Sequence, residues 1–367
     1  MKVRRSYIEL YYDEVNASKE IQQDLVSFSY TDNAHGVADD VSISLKDEKG
    51  IWSDDWFPEE GDKLRPIIHT LNWRHDGDSQ SLDCGFFDID EPECSGPPSV
   101  MTINGNSMPT NSSFKDEKKT RSWTNQSFKM IASKISNEAG LDLLYDSQVN
   151  PVFSYVLQEE SDAAFLLKLC DDHSFGVKIS SGQLVIYNLS EYKAKDSVHE
   201  YRKRSSTVLS YGFRKQTVGN QFDGVKVKYE DDGMSKWYSY CPKSPDDAKY
   251  YTIESVCESY QDAEYMCMSK YAELADTVYV CTFNVTLNLK LISALCIDVS
   301  GFGKYDGKYF LDKVTHTVGS GSSTSFEGRM IVSGKKLSIP VTNGPQVKEE
   351  SMVKLAGLTD GNSLMSM

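Results

Sequence analysis

The sequence predicts a mainly β protein in which two β regions flank a small α+β region. Three observations predict this class: alternating apolar and polar stretches toward both ends of the chain, turn-forming Gly and Pro residues between them, and helix-length apolar patterns in the middle. We expect a first β domain at residues 1–117, a small α+β domain at 118–202, a second β domain with one inserted helix at 203–340, and a C-terminal tail at 341–367.

The first β region is a series of short strands separated by turns. Val41, Ile43 and Leu45 alternate with polar residues, which is the pattern of a strand with one buried face. A turn containing Pro and Gly at 56–62 precedes the next apolar stretch, and a Gly-Pro-Pro sequence at 96–98 interrupts the chain again. Several short strands with regular turns predict a barrel or a sandwich.

The middle region changes to a helical period. One apolar face is formed by Phe128, Ile131, Ala132, Ile135 and Ala139. Gly140 follows at the position where a left-handed residue ends a helix, and Ser161 can cap the start of a second helix that carries Phe165 on its apolar side. A Ser-Ser-Gly turn at 180–182 between two apolar stretches predicts a hairpin.

The last region returns to β structure. Val225 and Val227 alternate with lysines, and a helix is predicted at 259–274, where Ser259 and Asp262 resemble a capping box. Further strands are predicted at 278–289, 291–299, 308–318 and 325–332. Residues after about 341 show no strong period, and we expect a tail that is flexible or ordered by a partner.

The charge of the chain opposes two classes of partner. A formal net charge of −15 disfavours nucleic acid and anionic membranes, because both attract basic surfaces. Basic clusters at 118–121 and 202–204 fall between predicted elements, and we interpret them as solvated linkers. The sequence has neither an apolar signal core nor the ~20 apolar residues of a membrane span, so we expect synthesis in the cytoplasm and no membrane insertion.

The eight cysteines suggest no metal site. None of them forms a C-x-x-C pair, and paired ligands at short spacing are what a zinc site needs. Several lie in apolar stretches, which is typical of buried thiols in a reducing compartment. We therefore predict neither a metal nor a cofactor.

One acidic stretch raises the alternative of a cell-wall-degrading glycoside hydrolase. Asp88 and Asp90 on a regular strand would share one face about 7 Å apart, from a rise of ~3.3 Å per residue, and this separation suits an inverting pair with Glu91 beside it. However, Pro92 ends the stretch, and acids on the solvent face of a strand are common. A pair without a pocket is weak support for catalysis, so we expect no enzyme.

The histidines and glycines follow no catalytic motif. His316 has no matching nucleophile motif nearby, and a packing or hydrogen-bonding role is the simpler interpretation. His69, His75 and His173 are scattered, without a metal-binding spacing. The glycines at 301–307 lack the spacing of a phosphate loop and predict a turn between strands. The Tyr and Trp content leaves a third hypothesis, a carbohydrate-binding tail module.

Several segments together resemble the phage late-control protein D family. They lie at 56–62, 85–90, 95–100, 121–123, 127–132, 140–141, 160–166, 306–309 and 314–316. Each segment consists of turn, cap and strand residues, and their order and spacing carry the resemblance, which covers about residues 5 to 335. The family comprises baseplate hub proteins of contractile phage tails, with the hub part of type VI secretion spike proteins and of phage-tail-like bacteriocins (tailocins).

The resemblance implies a structural homotrimer. Each chain would supply two similar tube-type β-barrels, so that three chains form a pseudo-sixfold ring that adapts a hexameric tail tube protein to a trimeric spike protein. Other baseplate proteins and the tape-measure protein are implied as further partners, and the bacterial cytoplasm and then the particle baseplate as locations. Family members that are longer continue into a spike or a hydrolase, so the resemblance implies that these are separate proteins here.

The family-motif residues are implied to have structural roles. They are Trp56, Pro58, Gly61, Asp62, Gly85, Phe87, Asp90, Pro97, Phe128, Ile131, Gly140, Ser161, Phe165, Gly307, Tyr309 and His316. If the ring lines a channel, the acidic charge would keep anionic cargo from adhering to its wall, and the alternative is that the acidity serves solubility.

Overall fold

A computed structural model describes residues 3–332, apart from 37, 109–111, 216–221, 232, 243–246 and 258. The predicted tail at 341–367 lies outside the described residues. The described chain is mostly β with few helices, as the sequence predicted.

The first β region forms one antiparallel network around an apolar core. Its elements are β1 (Arg5–Tyr12), β2 (Val15–Asn16), α1 (Ser18–Asp24), β3 (Leu25–Asn33), β4 (Asp40–Lys46), β5 (Lys63–Leu71), β6 (Ser79–Asp83), β7 (Phe87–Ser95) and β8 (Val100–Asn106). The predicted alternation holds in β4, where Val41, Ile43 and Leu45 are buried between half-exposed or exposed residues. They pack with Phe28 and Ile103 in the core.

The middle region has its own core. It contains α2 (Ser112–Lys115), β9 (Arg121–Ser127), α3 (Phe128–Glu138), β10 (Asp142–Asp146), β11 (Val152–Gln158), α4 (Asp162–His173), β12 (Phe175–Ser180), β13 (Gln183–Asn188) and α5 (Leu189–Ala194). The predicted face of α3 is buried except for the half-buried Ala139, and Ser161 caps α4 by accepting a hydrogen bond from the Ala164 amide. Gly140 has a φ of 69°, the left-handed conformation expected after α3.

The second β region contains the remaining elements. They are β14 (His199–Arg202), β15 (Val208–Lys215), β16 (Gly224–Asp231), β17 (Met234–Tyr240), β18 (Tyr250–Cys257), α6 (Tyr260–Asp276), β19 (Tyr279–Thr286), β20 (Cys296–Ser300), β21 (Gly307–Gly319) and β22 (Ser323–Met330). The inserted helix is α6, capped by Ser259, and it packs on a separate sheet of order β17-β16-β18 around Val225, Val227 and Met266. The domain boundaries themselves stay a prediction.

The two β regions repeat one strand order. The hydrogen-bonded order is β3-β4-β8-β7-β5-β1 in the first region and β15-β19-β22-β21-β20-β14 in the second. The strands also follow one another along the chain in the same way, so that β1, β3, β4, β5, β7 and β8 correspond to β14, β15, β19, β20, β21 and β22. Corresponding pairings have the same direction, except that β1 and β5 are antiparallel whereas β14 and β20 are parallel.

The correspondence extends to irregular positions. Val26 is skipped in the pairing of β3 with β4, and Leu209 is skipped at the same point of β15. Asp90 in β7 and Asp312 in β21 are skipped in the pairings with β8 and β22. Because a β-bulge bends a strand and increases its twist, shared bulges give the two regions the same local bends.

Two glycines mark the same close approach in both regions. A Cβ atom at Gly105 would lie 3.0 Å from the carbonyl oxygen of Asp88, and one at Gly328 would lie 2.9 Å from that of Phe310. Asp88 and Phe310 occupy corresponding positions in β7 and β21. In both regions, the strand that follows the bulged strand therefore has no room for a side chain at this position.

Candidate assembly interface

The two β regions join through one pair of strands. The first half of β21 pairs with β20, and its second half pairs with β3 from Lys313 opposite Asn33 to Gly319 opposite Ser27. The hydroxyl oxygens of Thr315 and Thr31 lie 3.3 Å apart across this pair. The β regions therefore share a continuous hydrogen-bonded sheet, and we call the β21–β3 pairing the internal junction.

Apolar side chains also cross the internal junction. Leu287, Leu289 and Val318 belong to the second region by sequence, yet they pack in the core of the first. Phe28 of β3 lies in that core with no exposed surface. Burial of these side chains stabilises the attachment of one region to the other, at roughly 25 cal/mol per Å² of apolar surface.

His316 lies in β21 at the internal junction, opposite Tyr30 of β3, and its side-chain hydrogen bonds are made within the second region. Its Nε2 lies 2.9 Å from the carbonyl oxygen of Leu291, and its Nδ1 lies 3.0 Å from Oγ1 of Thr324. A carbonyl can only accept, so Nε2 carries the proton and the Thr324 hydroxyl donates to Nδ1. Burial lowers the pKa of His316 to about 4. The imidazole is therefore neutral at pH 7, and it has the packing and hydrogen-bonding geometry that the sequence suggested.

An ionic cluster joins all three regions. Lys178 of β12 forms ion pairs with Asp32, at the end of β3, and with Asp39, whose Oδ2 is 3.1 Å from Nζ. Ser293 of the second region donates two hydrogen bonds of 2.7 Å to Asp32, from its amide and its hydroxyl. Burial raises the pKa of Asp39 to about 7, whereas the two carboxylates hold the pKa of Lys178 above its ordinary value despite its burial.

No pattern in the sequence predicts this cluster. Asp32 and Asp39 are seven residues apart, but Lys178 and Ser293 each lie more than a hundred residues from the other members, and no short motif links them. Isolated Asp, Lys and Ser residues are common in any chain, so only the fold identifies this group as a set of partners.

The basic cluster at 118–121 is not a solvated linker, contrary to our prediction. Lys119 Nζ lies 2.6 Å from Oδ2 of the buried Asp162, and Arg121 pairs with both Asp162 and Glu138. Although burial alone would raise it, hydrogen bonds from Lys119, Gln158 and Arg121 lower the pKa of Asp162. The sequence prediction failed because an acidic residue at the start of α4 needs cationic partners once it is buried.

The acidic stretch of β7 is irregular. Asp88 is half-buried, Asp90 is exposed, and Asp90 accepts a hydrogen bond of 3.1 Å from Asn106. We expected the two acids on one face because side chains alternate between the faces of a regular strand. The bulge at Asp90 interrupts this alternation.

The other histidines and the 301–307 glycines have local contacts. His69 lies 3.0 Å from Glu9, His75 contacts the carbonyl of Asp76, and the buried His173 packs against Phe153. The glycine segment closes as a turn between β20 and β21, in which Asp306 accepts a hydrogen bond from the Phe302 amide. Among the cysteines, Cys94 is exposed, Cys241 is half-buried, and the other six are buried.

The family-motif residues are distributed over three cores and their turns. Buried members are Pro58, Phe87, Phe128, Ile131, Ser161, Phe165, Tyr309 and His316, and glycines with positive φ are Gly61, Gly85, Gly140 and Gly307. Asp62 accepts hydrogen bonds from Tyr12 and from the Glu59 amide. The Trp56 side chain is 49% exposed and packs edge-on against Trp52. Pro97 follows a cis peptide bond. Their structural roles stay a prediction.

Among the open strand edges of the described residues, those of β7 and β15 belong to the strands that correspond to the internal junction. β15 pairs with β19 alone, and beyond Ile89, whose backbone also bonds to Gly61 and Asp62, the strand β7 pairs with β8 alone. An exposed edge presents unpaired backbone groups and is a template for another strand. Across all the residues that the structure describes, no group of three or more His, Cys, Asp or Glu side chains is placed to hold a metal ion. No helix among these residues has the length and apolar character needed to cross a membrane.

Comparison with known proteins places this fold among tail proteins. No protein-family model matches the chain. A curated relative, the probable baseplate hub protein of Escherichia phage 186, is 29% identical over 163 residues, which is 44% of this chain and only 39% of the relative. The resemblance seen in the sequence is thereby confirmed in a curated protein.

Solved structures extend the likeness to nearly the whole chain. The 43 kDa tail protein of prophage MuSo2 from Shewanella oneidensis is 13% identical, with a TM-score of 0.64 over 89% of this chain and 98% of that one. A type VI secretion component of Escherichia coli, described as structurally similar to T4 tail proteins gp27 and gp5, is 12% identical, with a TM-score of 0.51 over 88% of this chain and 76% of that one. At these identities the similarity establishes the fold.

Proposed function

We propose that this protein is the structural hub of a contractile-tail baseplate or a related injection machine. In this role it forms a homotrimer whose six β regions make a pseudo-sixfold ring. The ring joins a hexameric tail tube on one side to a trimeric spike on the other, and it also contacts other baseplate and tape-measure proteins.

The repeated strand order is the observation that carries the proposal. A tube of six subunits offers six equivalent docking surfaces, whereas a spike of three chains offers three. A chain with two β regions of the same order, bulges and glycine positions meets both demands with three copies. The tail-protein fold of the solved structures and the hub description of the phage 186 relative support the same role.

The proposal includes no enzymatic step. The segment with Asp88 and Asp90 lies on a bulged strand, and the regular spacing on which the glycoside hydrolase hypothesis depended is lost there. A peptidoglycan zymogram of the purified chain, with Asp88→Asn as the control, tests this hypothesis. Lysis by the wild type that the variant lacks would establish an enzyme.

The mass of the assembled protein tests the hub proposal. We expect light scattering after size exclusion to give three times the chain mass of 41.3 kDa. Reconstruction of a particle that contains the chain should then show three copies between a sixfold tube and a threefold spike. A chain that stays monomeric at every concentration and never enters a particle would contradict the proposal.

A further inference from the structure

We propose that β7 of one copy pairs with β15 of the next, in the antiparallel register of the internal junction. Residues Pro92 to Ser95 would face residues Lys215 to Gly212 of the neighbouring copy. This inference rests on the proposed homotrimer and identifies the strands that hold it together.

The correspondence of the two β regions gives the register. At the internal junction β21 pairs with β3, and these strands correspond to β7 and β15. β21 and β3 pair with each other, whereas their counterparts β7 and β15 have no such partner within the described chain. Each copy therefore presents one open β7 edge and one open β15 edge. In the internal junction Thr315 lies opposite Thr31, and their counterparts are Glu93 and Arg214.

Exposed side chains occur where the internal junction buries their counterparts. Tyr211 of β15 is 48% exposed, whereas its counterpart Phe28 has no exposed surface. Cys94 of β7 is exposed, whereas its counterpart His316 is fully buried. The open edges thus have the surface that the internal junction would have if its two strands were separated.

The two edges are complementary in charge. The open part of β7 carries Glu91 and Glu93, both exposed, while β15 ends in the exposed Arg214 and Lys215. The Arg214 guanidinium lies 3.4 Å from Glu327 on the same face, where it can also meet an acidic side chain from outside. Opposite charges directly across a strand pair are stabilising, and like charges would disfavour β7–β7 or β15–β15 pairing.

The proposed contact is head-to-tail, because one edge belongs to the first β region and the other to the second. Such contacts form rings when the rotation between copies closes. Three copies would contain three internal junctions and three junctions between copies, all of one kind. This equivalence is what a pseudo-sixfold ring requires.

Intermolecular disulfides test the register. In a Cys94→Ser background, which removes the exposed native thiol, Glu93→Cys and Arg214→Cys are combined in one chain. Opposite residues of an antiparallel pair have Cα atoms about 4.5–5.5 Å apart, within the range that a disulfide bridges. Both side chains are exposed, so the substitutions remove no core atoms. Glu93→Cys with Lys215→Cys is the control, because adjacent residues of a strand point to opposite faces.

We expect the matched pair to give covalent dimers and trimers on non-reducing gels at least tenfold more efficiently than the control pair. A wild-type protein that is trimeric by mass, but whose matched pair cross-links no better than the control, would overturn this register and leave the hub proposal intact. A wild-type protein that is monomeric throughout would overturn both.

Discussion

Replacing Lys178 by methionine is the sharpest test of how the three regions are held together. The Lys178 side chain is 12% exposed, and its partners Asp32 and Asp39 are 5% and 1% exposed. The substitution keeps most of the side-chain volume and leaves two carboxylates buried without their cation. Breaking a buried ion pair in this way costs about 3–5 kcal/mol. Ser293 still donates two hydrogen bonds to Asp32, so we expect the lower half of that range at pH 7.

The loss should depend on pH in a defined direction. Lys178 lowers the pKa of Asp39, so without it the folded variant keeps the proton on Asp39 to higher pH than the wild type does. An aspartate of the unfolded chain, with a pKa of about 3.9, has already released this proton. The free energy of unfolding of the variant therefore falls as pH rises from 5 to 7, because the folded state binds more protons than the unfolded state. The cost of the substitution should thus be larger at pH 7 than at pH 5.

Urea unfolding, followed by tryptophan fluorescence and circular dichroism, measures this cost as a shift of the midpoint at constant slope. Lys49→Met, in an exposed turn, is the control and should stay within about 0.5 kcal/mol of the wild type. Adding Asp32→Asn and Asp39→Asn to Lys178→Met should recover part of the loss, because it removes the uncompensated charges. A loss below about 1 kcal/mol at pH 7, or an equal loss at pH 5 and pH 7, would refute the reasoning.

Three further predictions concern His316 at the internal junction, the glycines Gly105 and Gly328, and Arg214 at the open edge of β15. His316 has a pKa of about 4 in the folded state and of ~6.5 in the unfolded state, so the unfolded state binds more protons between these values and the free energy of unfolding falls as pH drops through this range. His316→Gln should flatten that decline in urea midpoints measured from pH 7 to pH 4. An unchanged decline would contradict the prediction. Gly105→Ala and Gly328→Ala should each destabilise by roughly 1–3 kcal/mol in the same assay, because the new methyl group meets a backbone oxygen, whereas Gly321→Ala, which has open space, should not. Arg214→Glu should weaken trimer formation at least tenfold by light scattering while circular dichroism stays that of the folded chain, and a trimer of wild-type strength would count against charge pairing at that edge.

Local rules in the sequence predicted the regular elements well. The buried face of α3, the cap at Ser161 and the left-handed Gly140 each depend on residues within one or two helical turns. The alternation in β4 is equally local, because one face of the strand points into a core. Such features can be derived from spacing alone.

The contacts that matter for assembly were not predictable in this way. Asp32, Asp39 and Lys178 meet because β3 ends beside β12, which no local pattern reveals. The bulge at Asp90 needs one extra residue relative to β8, so it appears only when the two strands are paired. The repeated strand order was equally hidden, because an inserted sheet and helix separate β15 from β19, whereas β3 leads directly into β4.

The differences between the internal junction and the open edges have a physical logic under the proposed assembly. The internal junction forms whenever the chain folds, so Phe28, His316 and Asp32 of the ionic cluster stay buried in the folded chain. At the corresponding edge positions the chain has Tyr211, Cys94 and Lys215 instead, which are more compatible with water before a partner arrives. Charged residues and a proline on an edge also discourage indiscriminate strand pairing, as Glu91, Glu93 and Pro92 do in β7. One junction geometry can therefore be permanent within a chain and selective between chains, and the selectivity lies in the few side chains that differ.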